Sequence, residues 1–167
     1  MCSSDLPDKQ PIYTQSEHDG DTYYFLSFYG KVYSANLGGA VAKIGESWSV
    51  VDAEDAKKSW RPGGYQPFAL HTETGRFYVG MHPDGKEGSH KDPAVEIWVF
   101  DIKTHQRLER AEGNRSVAMA VSMGKDPMLF VVDPTTAGLV SYATAPKLAA
   151  VKRVDGFGEA PALLLTH

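Results

Sequence analysis

One polar string holds most of the side chains that could do chemistry. It reads Gly80-Met-His-Pro-Asp-Gly-Lys-Glu-Gly-Ser-His-Lys-Asp-Pro93, with two histidines, two lysines and three acids. Its opening letters fit the phosphate-binding pattern G-x-x-x-x-G-K. That pattern then needs Ser or Thr for magnesium and a helix N-terminus for the phosphates. Here Glu87 follows, putting an acid where phosphate oxygens would lie, and Pro93 and a strand-like run come next. We read the match as chance. His82, Asp84, His90 and Asp92 invite a metal reading, but their spacing matches no ligand pattern, and zinc favours tetrahedral His/Cys sets. Solvated loop histidines account for the same residues. Nucleophilic chemistry finds no support either. There is no G-x-S-x-G, and the single cysteine, Cys2, lies at the extreme N-terminus.

A second stretch, Ser59-Trp-Arg-Pro-Gly-Gly-Tyr-Gln66, sets two glycines and a proline among large aromatics. Packing explains it if Trp60 covers a sheet edge and Gly63-Gly64 turn the chain. Partner contact explains it equally, because Trp, Tyr and Arg are the common interface anchors. Trp60, Arg61, Tyr65, His82 and His90 are therefore the candidate partner-contact residues. No catalytic, cofactor-binding or metal-binding residue is assigned. Trp98, Phe100, Phe77 and Tyr78 read as packing residues.

Short strands position these segments. Apolar, aromatic and β-branched runs of about five residues recur between Gly, Pro, Asp and Asn. A first set is expected at Ile12–Ser16, Tyr23–Phe28, Lys31–Leu37 and Val41–Ile44. A second falls at Pro67–His71, Phe77–Met81, Val95–Asp101 and Arg107–Arg110. A third falls at Ser116–Val121, Met128–Asp133, Leu139–Tyr142 and Ala150–Val154, and a last strand at Ala160–Leu165. Asp52–Ser59 alone looks helical, with acids early and lysines late, as the helix dipole prefers. The first strand of a set recurs around Thr14, Ala69, Ala118 and Ala162, at intervals of 55, 49 and 44 residues. Four strands per 40–50 residues is roughly the period of a β-propeller blade. The predicted class is all-β, a partial propeller with blades at about 11–44, 66–111 and 115–154 and a closing strand at 160–165. A complete small β-sandwich is the competing arrangement. Three blades and a strand do not close a ring. The outer face of the first set and the last strand are thus expected to lack neighbours.

Composition sets outer limits. The 167 residues carry 42% hydrophobic and 23% charged side chains, ordinary for a globular domain. The net charge of −4 gives no nucleic-acid footprint. No apolar run approaches the roughly 18 residues of a membrane span, and Met1–Tyr13 does not read as a signal peptide.

The same residues resemble a known family. Ser59–Gln66 is similar to the connector in amine dehydrogenase heavy chains. Met81–Lys91, Glu96-Ile-Trp98 and Asp101–Arg107, with Tyr29–Ser34, resemble the aromatic (aralkylamine) branch in particular. The resemblance runs from about Ile12 to His167. It implies the C-terminal half of a seven-bladed propeller subunit in the bacterial periplasm, paired with a small disulfide-rich light chain as α2β2. By the same resemblance, the light chain carries tryptophan tryptophylquinone and the catalytic base. A primary amine is oxidised to aldehyde and ammonia, and electrons pass to a blue copper protein such as azurin or amicyanin. Trp48, Trp60 and Trp98 are then not cofactor precursors, and the Gly80–Pro93 loop is a surface or subunit-contact feature. A propeller-type protein-binding module without a redox role is the alternative.

Overall fold

The computed structural model describes residues 10–12, 16–86 and 88–158. Among them are fourteen strands, one short α-helix and one 3-10 turn. All strand pairings are antiparallel and form three consecutive sheets. The first contains β1 (Glu17–Asp19), β2 (Thr22–Leu26), β3 (Lys31–Asn36) and β4 (Lys43–Ile44), with β5 (Trp48–Ser49) also on β3. The second runs β7 (Phe68–His71), β8 (Arg76–His82), β9 (Ala94–Asp101) and β10 (Arg107–Ser116), with β6 (Arg61–Pro62) also on β8. The third runs β11 (Ala118–Val121), β12 (Met128–Asp133), β13 (Gly138–Ala143) and β14 (Ala149–Val154). Helix α1 (Ala53–Lys57) lies between β5 and β6.

The sheets pack face to face in chain order, and side-chain alternation shows how. Successive residues of a strand point to opposite faces. In the middle sheet, Phe68, Leu70, Phe77, Val79, Met81, Trp98 and Phe100 pack against Leu26, Val32 and Val50 of the first unit. The alternate residues Ala69, Tyr78, Ile97 and Val99 pack against Met119, Leu129, Val131 and Val140 of the third. The middle sheet is therefore apolar on both faces. A two-sheet sandwich would bury only one. The fold is all-β and a partial propeller.

Several expectations need correction. The first strand sits at Glu17–Asp19 rather than Ile12–Ser16, part of which lies outside the described residues. Two-residue strands β5 and β6 are additional; neither is long enough to show a period. Strand β10 continues to Ser116 through two irregularities, so the third sheet begins at Ala118. The first sheet's outer face is not bare. Tyr33 and Ala35 alternate with Val32 and are each 2% exposed. Chain from Gln10 to Ile12 returns to this hairpin, Phe28 N–H donating to Pro11 O (2.9 Å) and Ser27 Oγ–H to Gln10 Oε1 (2.7 Å). The strand expected at Ala160–Leu165 lies outside the described residues. On the third sheet, every residue of β14 is exposed.

Candidate functional site

The two segments singled out in the sequence fold onto each other. Their placement begins at α1. Asp52 caps the helix, accepting the N–H groups of Glu54 (2.9 Å) and Asp55 (2.8 Å), while the Asp55 carboxylate accepts the Asp52 N–H. These bonds satisfy donors the helix leaves open. Such capping holds the Asp52 carboxyl below its ordinary range, with the Arg107 charge adding to the effect. Asp55 is buried and paired with Arg107, with Arg110 at 3.7 Å. Arg110 in turn forks onto Glu96, Nε at 2.9 Å and Nη2 at 3.1 Å. Glu96 also accepts the Trp98 indole N–H at 2.6 Å. Both guanidiniums lie over the Trp98 ring, at 4.5 and 4.6 Å, and Arg110 covers Trp60 at 4.7 Å. The Trp60 and Trp98 rings are 5.0 Å apart. This cluster pins the start of the connector to the second sheet.

Beyond it, β6 adds Arg61 opposite His82 and Pro62 opposite Met81. Gly63 N–H donates to Gly80 O at 2.8 Å, Gly64 N–H to Asp92 O, and Gly85 N–H to Ser59 O at 2.8 Å. The glycines serve close approach rather than turning. A Cβ on Gly63 would stand 2.4 Å from the Ala94 nitrogen, and one on Gly64 2.7 Å from the Asp92 carbonyl oxygen. The turn itself falls to Tyr65 (φ 62°) and Gln66 (φ 45°), both left-handed. Ser59 (φ 55°) and Asp84 (φ 58°) are left-handed too. Four of the six described non-glycine residues with positive φ thus lie on the connector and the loop, the others being His105 and Ala137. Such strain persists only where its surroundings fix it, and it gathers at functional sites.

The predicted contact residues divide by exposure. Tyr65 is 49% exposed. Arg61 lies over the rings of Phe28 (5.2 Å) and Tyr29 (4.8 Å), and Tyr29 is 46% exposed. The rim is therefore exposed Tyr29 and Tyr65 with half-buried Arg61. Sequence reasoning passed over Tyr29, because a turn aromatic gains meaning only when Arg61 is brought over it. Trp60, at 8% exposure, belongs to the packing beneath, and so does His82 at 5%. Burial lowers the His82 pKa, and the nearby Asp92 charge partly opposes this. His82 Nε2 has no hydrogen-bond partner among the described residues. Ser89–Lys91 form the 3-10 turn; the His90 side chain lies outside the described residues. No group of three His, Cys, Asp or Glu side chains among the described residues converges for a metal ion. Trp98 is fully buried and Trp60 nearly so, while Trp48 is stacked on His105 at 4.7 Å. The rim offers aromatic and cationic contact surface.

Three stacked antiparallel sheets of four or five strands with a strained rim define a propeller-type scaffold. Solved structures agree on the fold. The structure of U3-55K superposes with a TM-score of 0.60 at 11% identity, over 90% of this chain and 41% of that one. The Saccharomyces cerevisiae Sqt1 structure gives 0.55 at 10% identity, over 91% and 36%. The family described as methylamine dehydrogenase heavy chain (MADH) matches residues 7–167, and the chain belongs to it. The heavy chain of Methylophilus methylotrophus is 27% identical over 139 residues, 83% of this chain and 34% of its own length. That of Paracoccus versutus is 27% identical over 144 residues, 84% and 33%. The matched part thus corresponds to about a third of each relative.

Proposed function

We propose that this chain is a scaffold portion of an amine dehydrogenase heavy subunit, and that the rim of Tyr29, Arg61 and Tyr65 contacts the subunit bearing the redox cofactor. The membership of residues 7–167 in the methylamine dehydrogenase heavy-chain family carries this reading. The clustering of left-handed residues beneath the rim supports its location. In the whole enzyme a light chain holds tryptophan tryptophylquinone, and two copies of each chain form α2β2. The quinone, when bound in the light chain, supplies the oxidation of a primary amine to aldehyde and ammonia. Electrons leave to an azurin- or amicyanin-type copper protein in the periplasm. The motif string Met81–Lys91 favours an aromatic amine, whereas the curated relatives are methylamine enzymes.

The residues of this chain have mechanical roles in that scheme. Arg61 presents a guanidinium fixed by two rings, and Tyr65 presents an aromatic face fixed by a left-handed backbone. Both are preorganised, which lowers the ordering cost of association. The test mixes this chain with an amine dehydrogenase light chain and follows association by sedimentation. Arg61→Ala and Tyr65→Ala are each expected to weaken it by about tenfold. The chain alone is expected not to oxidise methylamine, tryptamine or phenylethylamine with a dye acceptor. Turnover by the isolated chain overturns the subunit reading. Association untouched by both substitutions moves the contact away from the rim. Failure to associate at all favours a binding module without a redox role.

A further inference from the structure

A concavity lies between the second and third sheets, away from the rim. It is a cavity of about 370 Å³ lined by Arg76, Val99, Leu108, Glu109, Arg110, Pro146 and Lys147. Its charges are unevenly satisfied. Arg110 is forked onto Glu96 and already neutralised. Glu109 turns both carboxylate oxygens to the Leu148 N–H, at 3.2 Å each. Arg76 has no carboxylate within ion-pair distance among the described residues. Its Nη1 donates to the Thr144 carbonyl, a neutral partner. Yet Arg76 is only partly exposed, and fully buried Tyr78 lies beside it. A partly exposed guanidinium whose partner is a neutral carbonyl keeps its charge available to an anion, and charge-assisted pairs of this kind are the strong ones. Lys147 stands exposed at the same opening, also without an ion-pair partner among the described residues. The rest of the wall is apolar, from Val99, Leu108 and Pro146. Leu108, 53% exposed, sets an apolar side chain at the opening of the cavity.

We propose that this cavity binds a small organic carboxylate, with Arg76 and Lys147 holding the anion and Leu108 and Pro146 packing its short apolar tail. A guanidinium offers two parallel N–H donors to a carboxylate, and such charge-assisted pairs are the strong ones. The inference does not depend on the subunit assignment, since it uses neither the rim nor a partner chain.

The experiment titrates the full chain with sodium butyrate and follows side-chain and amide resonances by NMR. Sodium chloride and n-butylamine hydrochloride at the same ionic strength serve as controls. Butyrate is expected to give saturable shifts at Arg76, Leu108 and Lys147, and butylamine none. Arg76→Gln is expected to weaken binding about tenfold or more, because it removes a charge-assisted donor pair. Lys147→Gln is expected to weaken it about threefold, as suits an exposed charge. Leu108→Asp, at an exposed position, places an anion in the opening and is expected to abolish saturation; it keeps the test decisive if Arg76→Gln misfolds. The proposal is overturned by the absence of saturable shifts, by an equal response to butylamine, or by unchanged affinity in Leu108→Asp.

Discussion

Glu17 makes stability depend on pH in a direction opposite to most carboxylates. It opens β1, the edge strand of the first sheet, where β1 approaches β7 of the second. Burial pushes its carboxyl from 4.5 up to about 7, against the lowering influence of His18 and of a hydrogen bond from the Leu70 backbone. The native state therefore holds a proton that the unfolded chain releases near 4.5. Stability from this group is fully present below 4.5 and is lost as pH rises through 7. At 1.36 kcal/mol per tenfold, the difference is at most about 3 kcal/mol above pH 8. Glu17→Gln keeps the shape and the acceptor for Leu70 but cannot ionise. It is expected to raise stability by about 2–3 kcal/mol at pH 8 and to be nearly neutral at pH 4.5. With a urea slope of about 1–3 kcal/mol per M, the midpoint at pH 8 rises by roughly 1 M or more. His82 works the other way, since its lowered pKa removes stability as pH falls through the histidine range. Subtracting the variant from the native chain at each pH cancels that contribution. Equal midpoints at pH 8 would mean that the Glu17 carboxyl is hydrated. A gain independent of pH would assign the effect to packing.

Gly63→Ala is expected to cost about 3 kcal/mol or more, since its Cβ meets the Ala94 backbone rather than a side chain that can move. Gly39→Ala, whose Cβ meets only Val41 O at 3.7 Å, should stay within about 0.5 kcal/mol; similar urea midpoints for the two variants would refute the close-approach account. Arg110→Met leaves Glu96, 8% exposed, without its cation and is expected to destabilise by about 3 kcal/mol. Adding Glu96→Gln should recover part of that loss in a double-mutant cycle, and strict additivity of the two substitutions would show that the pair is not coupled.

The amino-acid sequence by itself determined the long strands, because a period of two is a local property. Phe77-Tyr-Val and Ile97-Trp-Val-Phe100 are apolar at every position, and such runs belong to a sheet covered on both faces. The helix at Asp52 was legible for the same reason, its capping acids and terminal lysine lying within six consecutive residues. The family resemblance rested on contiguous strings and needed no geometry. Two-residue strands β5 and β6 carry no period at all, so only pairing with β3 and β8 defines them. The role of Gly63 and Gly64 was likewise out of reach. The Ala94 and Asp92 backbones that forbid a side chain there lie about thirty residues away, brought in by the register of β6 on β8. Tyr29 joined the rim only because Arg61 stacks on it, and Arg76 acquired its meaning only once the tertiary structure turned Glu109 to the Leu148 N–H and Glu96 to Arg110. Sequence fixes what a residue prefers along its own strand; distances between strands, set by packing three sheets face to face, decide which of those residues can act together.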